Sequence, residues 1–133
     1  MNKYYLIFLI ILFVSCKGNE KHTPDKNTTM VIDKGVYNFG DVKEDEMYNG
    51  YFIVKNTGPI TLAIYDVSTE CGCTVIDSYK KLVQPKDTCM IRFSFNTLGK
   101  SGIQNKTITM VTNTDTTTHF LKIKANVVKE TSN

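Results

Sequence analysis

Two cysteines separated by one glycine, Cys71-Gly72-Cys73, are the residues of this chain best suited to chemistry. If the segment is extended, side chains at i and i+2 project to one face. Two thiolates side by side offer a soft site for Cu(I) or Zn(II). The same sulfurs could instead close a small, easily reduced disulfide. Zinc sites usually take four ligands, with two or more residues between paired cysteines. The two histidines, His22 and His119, both lie far along the chain from this pair. A packing role competes with both chemistries, because Cys is small and apolar and Gly72 permits close backbone approach. Glu70 directly precedes the pair. If its carboxylate lies close to the thiols, it raises their pKa and disfavours a thiolate nucleophile.

The other two cysteines read differently. Cys89 shares a period-two face with Ile91, Phe93 and Phe95, the pattern of a buried, inert thiol. A bridge from Cys89 to Cys71 or Cys73 stays open at this point, since sequence does not give connectivity. Cys16 closes the leader. Lys3 is followed by the uncharged, mostly apolar residues 4–14, then Ser15 and Cys16. A charged start, a short apolar run and a small residue at the cut make a secretory signal. The cysteine at the cut makes it similar to a bacterial lipoprotein signal. Phe13 stands where Leu is usual, whereas Val14 and Ser15 fit. The run falls short of the roughly 20 residues a membrane span needs. The expectation is export, cleavage before Cys16 and acylation there. Two or more acyl chains, at about 0.8 kcal/mol per buried CH2, give stable anchoring. Lys17, in place of Asp, points to the outer membrane, facing the periplasm.

The expected organisation is a signal peptide (1–15), a flexible tether (16–29), one β domain (30–129) and a short tail (130–133). Residues 17–29 carry no apolar side chain and cannot build a core. Removing the leader also removes Lys3, which lowers the formal charge of +3 by one. No basic face results, so nucleic acid is not an expected partner. The expected partners are the membrane, through the lipid, and a protein of the cell envelope. No cofactor is implied. There is no glycine-rich phosphate loop, nucleophile elbow or His-x-x-x-His, so the chain does not read as an enzyme. Asp41, Glu44, Asp45 and Glu46 read as a solvated turn, and Lys80-Lys81 as an exposed pair. Asp115-Thr116-Thr117 reads as a polar loop, with a weaker likeness to an O-glycosylation context.

The elements that must position these residues are strands. Residues 36–42, 47–56, 62–68, 74–79, 89–96, 104–112 and 120–128 alternate or are β-branched, with Gly40-Asp41 as a bend. Residues 56–59 (Asn-Thr-Gly-Pro) form a turn in which Asn and Gly tolerate positive φ. Residues 80–86 form a loop. The expected core is Phe52, Val54, Leu62, Ile64, Ile91, Phe93, Phe95, Ile108, Leu121, Ile123 and Val127. About seven short strands joined by turns predict an all-β, immunoglobulin-like antiparallel β-sandwich.

Specific strings run in order through this pattern: Tyr37-Asn-Phe39-Gly40, Asn56-Thr57-Gly58, Cys71-Gly72-Cys73-Thr74, Gln84-Pro85, Phe95-Asn96-Thr97 and Thr112-Asn113. Together they resemble the bacterial domain-of-unknown-function family 1573 over about residues 31–128. Many members of that family look like secreted or lipidated proteins of Bacteroidota. The resemblance implies an immunoglobulin-like sandwich, related in shape to major-sperm-protein and cilia-associated domains. It implies no established activity. Lys86 departs from the family's frequent Pro-Gly turn, and Glu70 from its frequent Ser. The expected function is a non-catalytic binding or scaffolding module. The alternative is a thiol-based redox or metal-handling protein using Cys71 and Cys73.

Overall fold

Period-two alternation builds this domain. The computed structural model describes residues 28–129. The expected leader, Cys16, residues 17–27 of the tether and the tail lie outside the described residues. In chain order the strands are β1 (Met30–Ile32), β2 (Val36–Lys43), β3 (Met47–Asn56), β4 (Leu62–Thr69), β5 (Thr74–Ser78), β6 (Leu82–Val83), β7 (Thr88–Asn96), β8 (Gly102–Thr112) and β9 (Thr118–Val128). They form a four-stranded sheet, β1-β3-β7-β5, and a five-stranded sheet, β2-β9-β8-β4-β6. All eleven expected core residues lie between the sheets, none more than 3% exposed.

Two parts of the expected architecture need correction. Among the described residues there are nine strands where about seven were expected. The additional ones, β1 and β6, have three and two residues, too short for alternation to be read. The sandwich is also not wholly antiparallel, because β2 pairs with β9 in parallel. No hairpin joins these two strands, so nothing local fixes their relative direction. The bend expected at Gly40 is a bulge, with Gly40 at φ 71° and the β2–β9 register shifted between Asn38 and Asp41.

The core centres on Phe93. Its ring lies 5.3 Å from Phe52, 5.5 Å from Tyr37 and 6.0 Å from Phe39, centroid to centroid. Gly50 is opposite it on β3, and a Cβ there would sit 2.5 Å from the tip of the ring. Glycine at 50 thus makes room for the Phe93 ring.

The connections between the sheets are stitched by buried polar side chains. The turn at residues 56–59 does not use positive φ, contrary to expectation. Instead the fully buried Asn56 side chain donates to Ile60 O (2.8 Å) and Val83 O (2.9 Å). Its Oδ1 accepts from Gly58 N (3.0 Å) and the Thr28 hydroxyl (2.9 Å). Thr28 and Thr29, expected in the tether, are therefore part of the domain. Thr28 is buried, and it packs so closely over Gly58 that a side chain there would collide with it. Asn113 accepts from Ala63 N (2.8 Å) and donates to Thr61 O (3.0 Å). Thr97 accepts from Glu46 N (2.9 Å) and donates to Lys43 O (2.8 Å).

Where the family often has Pro-Gly, Lys86 takes the left-handed conformation (φ 69°) in a turn closed by Asp87 N to Gln84 O at 3.0 Å. That conformation costs an L-residue about 1–2 kcal/mol, partly offset because glycine loses more freedom on folding. Lys86→Gly is expected to raise the urea midpoint, by up to about 1 kcal/mol of stability. Phe93→Ala is expected to lower it by about 3–5 kcal/mol. A Phe93→Ala protein that unfolds at the wild-type urea concentration would contradict this account of the core.

Candidate functional site

The chain must pass from β4 in one sheet to β5 in the other within residues 70–73. It does so in a turn. Thr74 N donates to Cys71 O at 3.2 Å, and Asn96 N donates to Cys73 O at 2.8 Å, tying the turn to the end of β7. The Thr69 hydroxyl lies 2.9 Å from Thr74 O and 3.2 Å from Cys71 O. The segment is not extended, as the sequence reading supposed. The turn, and not strand alternation, brings the two side chains together, with Cα atoms 5.3 Å apart. Cys71 and Cys73 form a disulfide.

The pair is half-buried and Gly72 between them is exposed, with open space where a side chain would stand. Cys73 packs against the end of the core formed by Val42, Phe95, Ala125 and Val127. Glu70 is exposed on the approach to the turn. A disulfide has no thiolate to offer a metal. Among the described residues, no group of three or more His, Cys, Asp or Glu side chains is placed to hold an ion.

As a staple the bond is weak. Chain-entropy stabilisation grows with loop length, reaching about 3 kcal/mol for a 15-residue loop and only about 1.5 kcal/mol for a loop of about three. The backbone bonds to Cys71 O and Cys73 O, and the Thr69 hydroxyl, would hold the turn without it.

The remaining chemical candidates are used structurally. Cys89 is a free, buried thiol, so the possible bridge to Cys71 or Cys73 is not formed. Burial pushes its pKa up, opposed by the Lys80 N–H, which donates to Sγ at 3.3 Å. His119 lies at the other end of the sandwich. Its Nε2 is 3.0 Å from Thr114 Oγ1 and 3.2 Å from Thr112 Oγ1, and burial pushes its pKa down. It borders an open cleft of about 190 Å³ with Thr28, Thr29, Met30 and Thr116.

The acidic turn is held by separate hydrogen bonds. Asp41 accepts from Asn126 (2.8 Å), Asp45 from Gly99 N (3.1 Å) and Glu46 from Tyr48 (2.7 Å). Lys80 pairs with Asp87 at 3.7 Å. The loop at Asp115, Thr116 and Thr117 is exposed. Cys16 lies outside the described residues.

A family model described as protein of unknown function (DUF1573) matches residues 30–127. The chain belongs to the DUF1573 family. No curated protein matches it. Among solved structures, a protein of unknown function from Porphyromonas gingivalis W83 superimposes with a TM-score of 0.66 at 16% identity, over 78% of this chain and 49% of that one. The ASH/PapD-like domain 7 of human CEP192 gives 0.64 at 9% identity, over 80% and 90%. The secreted serine protease VesC of Vibrio cholerae gives 0.58 at 10%, over 77% and 23%. The chain thus spans about half of the Porphyromonas protein and about a quarter of the protease. At these identities the likeness is one of fold, and the fold is an immunoglobulin-like β-sandwich.

Replacing both Cys71 and Cys73 with Ser is expected to lower stability by no more than about 1.5 kcal/mol. Urea unfolding of the double variant checks this. A loss as large as that from Phe93→Ala would make the bond a main support of the fold.

Proposed function

We propose that this DUF1573 protein is a non-catalytic immunoglobulin-like binding module, held at the cell envelope by lipid on Cys16, that engages an envelope protein. The observation that carries the reading is where the side chains go. Asp41, Asp45, Glu46, Asp87 and His119 are spent on hydrogen bonds within the domain, while large apolar side chains stand out of the smaller sheet. On its outer face Val31 is 55% exposed, and Tyr51 and Met90 are 45% exposed. The register sets Ile53 opposite Met90 and Tyr51 opposite Arg92. Neighbouring exposed apolar and aromatic side chains with an arginine beside them are typical of protein contact surfaces. The outer face of the larger sheet also exposes Phe120 and Ile103, but there Lys122 and Lys124 stand between them, opposite Thr107 and Asn105. The apolar run before Cys16 and the polar stretch after it support display from a membrane, with the outer membrane facing the periplasm as the proposed site.

A second reading, thiol–disulfide chemistry at Cys71 and Cys73, is favoured by the half-exposed disulfide in a turn that does not depend on it.

The binding reading is tested with a photo-crosslinking residue placed at Tyr51 or at Lys124 of the full chain in its native membranes. A discrete protein adduct is expected from Tyr51 and none from Lys124. No adduct from Tyr51 would remove the proposed surface. Labelled palmitate should enter the wild type and not Cys16→Ser, and an unlabelled wild type would remove the anchor.

A further inference from the structure

We infer that the Cys71–Cys73 disulfide is a thiol–disulfide exchange site whose reactant is a dithiol. The inference deepens the thiol reading above and rests on it, not on the binding surface.

Three observations combine. First, the bond is reachable. It sits in a turn between the sheets, with both cysteines half-exposed and nothing covering Gly72. Second, it closes over a single intervening residue, so the domain gains little from it as a staple. Third, the turn is held from the backbone. The Thr74 N to Cys71 O bond, the Asn96 N to Cys73 O bond and the Thr69 hydroxyl involve no sulfur. A reduced pair would stay in place, poised to close again. Cys89 is the contrast within the same domain: buried, its thiol pKa raised by that burial, and in no disulfide.

The same geometry selects the reactant. A thiolate attacks one sulfur of the pair; the S–S bond breaks, a mixed disulfide forms, and the other cysteine leaves as a thiolate that takes up a proton. With a monothiol, the freed cysteine remains beside the mixed disulfide, with Cα atoms 5.3 Å apart, and expels the monothiol again. A dithiol escapes this reversal. Its second thiol, losing a proton, attacks its own sulfur in the mixed disulfide and releases the second cysteine as a thiolate. Overall Cys71 and Cys73 gain two electrons and two protons, and the dithiol loses them and becomes a disulfide. The reverse reaction, with a disulfide as oxidant, restores the pair.

The test uses the full chain extracted from membranes in detergent. The protein is equilibrated with dithiothreitol or with reduced glutathione at equal thiol concentration, alkylated with N-ethylmaleimide, and mapped by peptide mass spectrometry. Circular dichroism follows the fold in parallel. With dithiothreitol, Cys71 and Cys73 should become labelled together, while Cys89 stays unlabelled and the spectrum is unchanged. Glutathione should give at least about tenfold less labelling. After reduction, addition of glutathione disulfide should leave Cys73→Ala carrying glutathione on Cys71, while the wild type recloses without it.

Equal labelling by the two reductants, or wild type that retains glutathione, would overturn the dithiol as reactant and leave the thiol reading standing. Labelling of the pair only when Cys89 is also labelled, or only with loss of the folded spectrum, would overturn the thiol reading itself. In either case a Tyr51 adduct that persists in the Cys71→Ser, Cys73→Ser double variant keeps the binding reading separate.

Discussion

Nearly every connection in this sandwich runs from one sheet to the other. Only β8 and β9 follow each other within a sheet. Each crossing takes the backbone out of both hydrogen-bond ladders, leaving N–H and C=O groups that must find partners or lose stability. Asn56, Asn113 and Thr97 meet that requirement. Each is a short polar side chain buried at a strand end, and each binds backbone groups of a distant segment. Asn56 alone links the end of β3, the following turn, β6 and the chain entering β1. The apolar core supplies the driving force, but these side chains fix how the loops close over it.

The same constraint explains the turn that carries the disulfide. Asn96 and Thr69 hold it as Asn56 holds the opposite end. The sulfur–sulfur bond is added to a crossing already satisfied from the backbone. That separation of support from chemistry would let the proposed exchange proceed without disturbing the sheets. The edges of the sheets point the same way. β1 and β6 are very short, and β2 and β5 are each interrupted by a register shift. Short and bulged edges resist pairing with another strand, which leaves the faces and turns for the proposed partner contact.

The core was legible because alternation is a local signal. Cys89, Ile91, Phe93 and Phe95 declare their face within seven residues, and so do Leu121, Ile123 and Val127. Cys89 itself was placed correctly as a buried thiol on that evidence. β1 and β6 were not legible, since three and two residues hold no period. The parallel pairing of β2 with β9 was hidden because it joins segments about ninety residues apart with no turn to set their direction. At the disulfide, the residues were evident but their geometry was not. A Cys-Gly-Cys string is compatible with a strand or a turn, and only the demand to change sheets decides it. Asn56 reads as a turn former because Asn favours turns, while Asn113 stands out only in the Thr112-Asn113 string of the family resemblance. Their burial depends on chain entering from far away, such as Thr28 over Gly58, which no local pattern announces.

The parallel partnership of β2 and β9 has a mechanical side. β2 lies near the beginning of the domain and β9 ends it, and they run in the same direction. A pull on the two ends of the chain therefore drags these strands past each other along their length. Their hydrogen bonds are loaded together in shear and do not open one by one like a zip. β1, with three residues paired to β3, lies outside that clamp and takes the load first. Seen this way, the arrangement makes the domain a stiff link when one end is fixed and the other is drawn away.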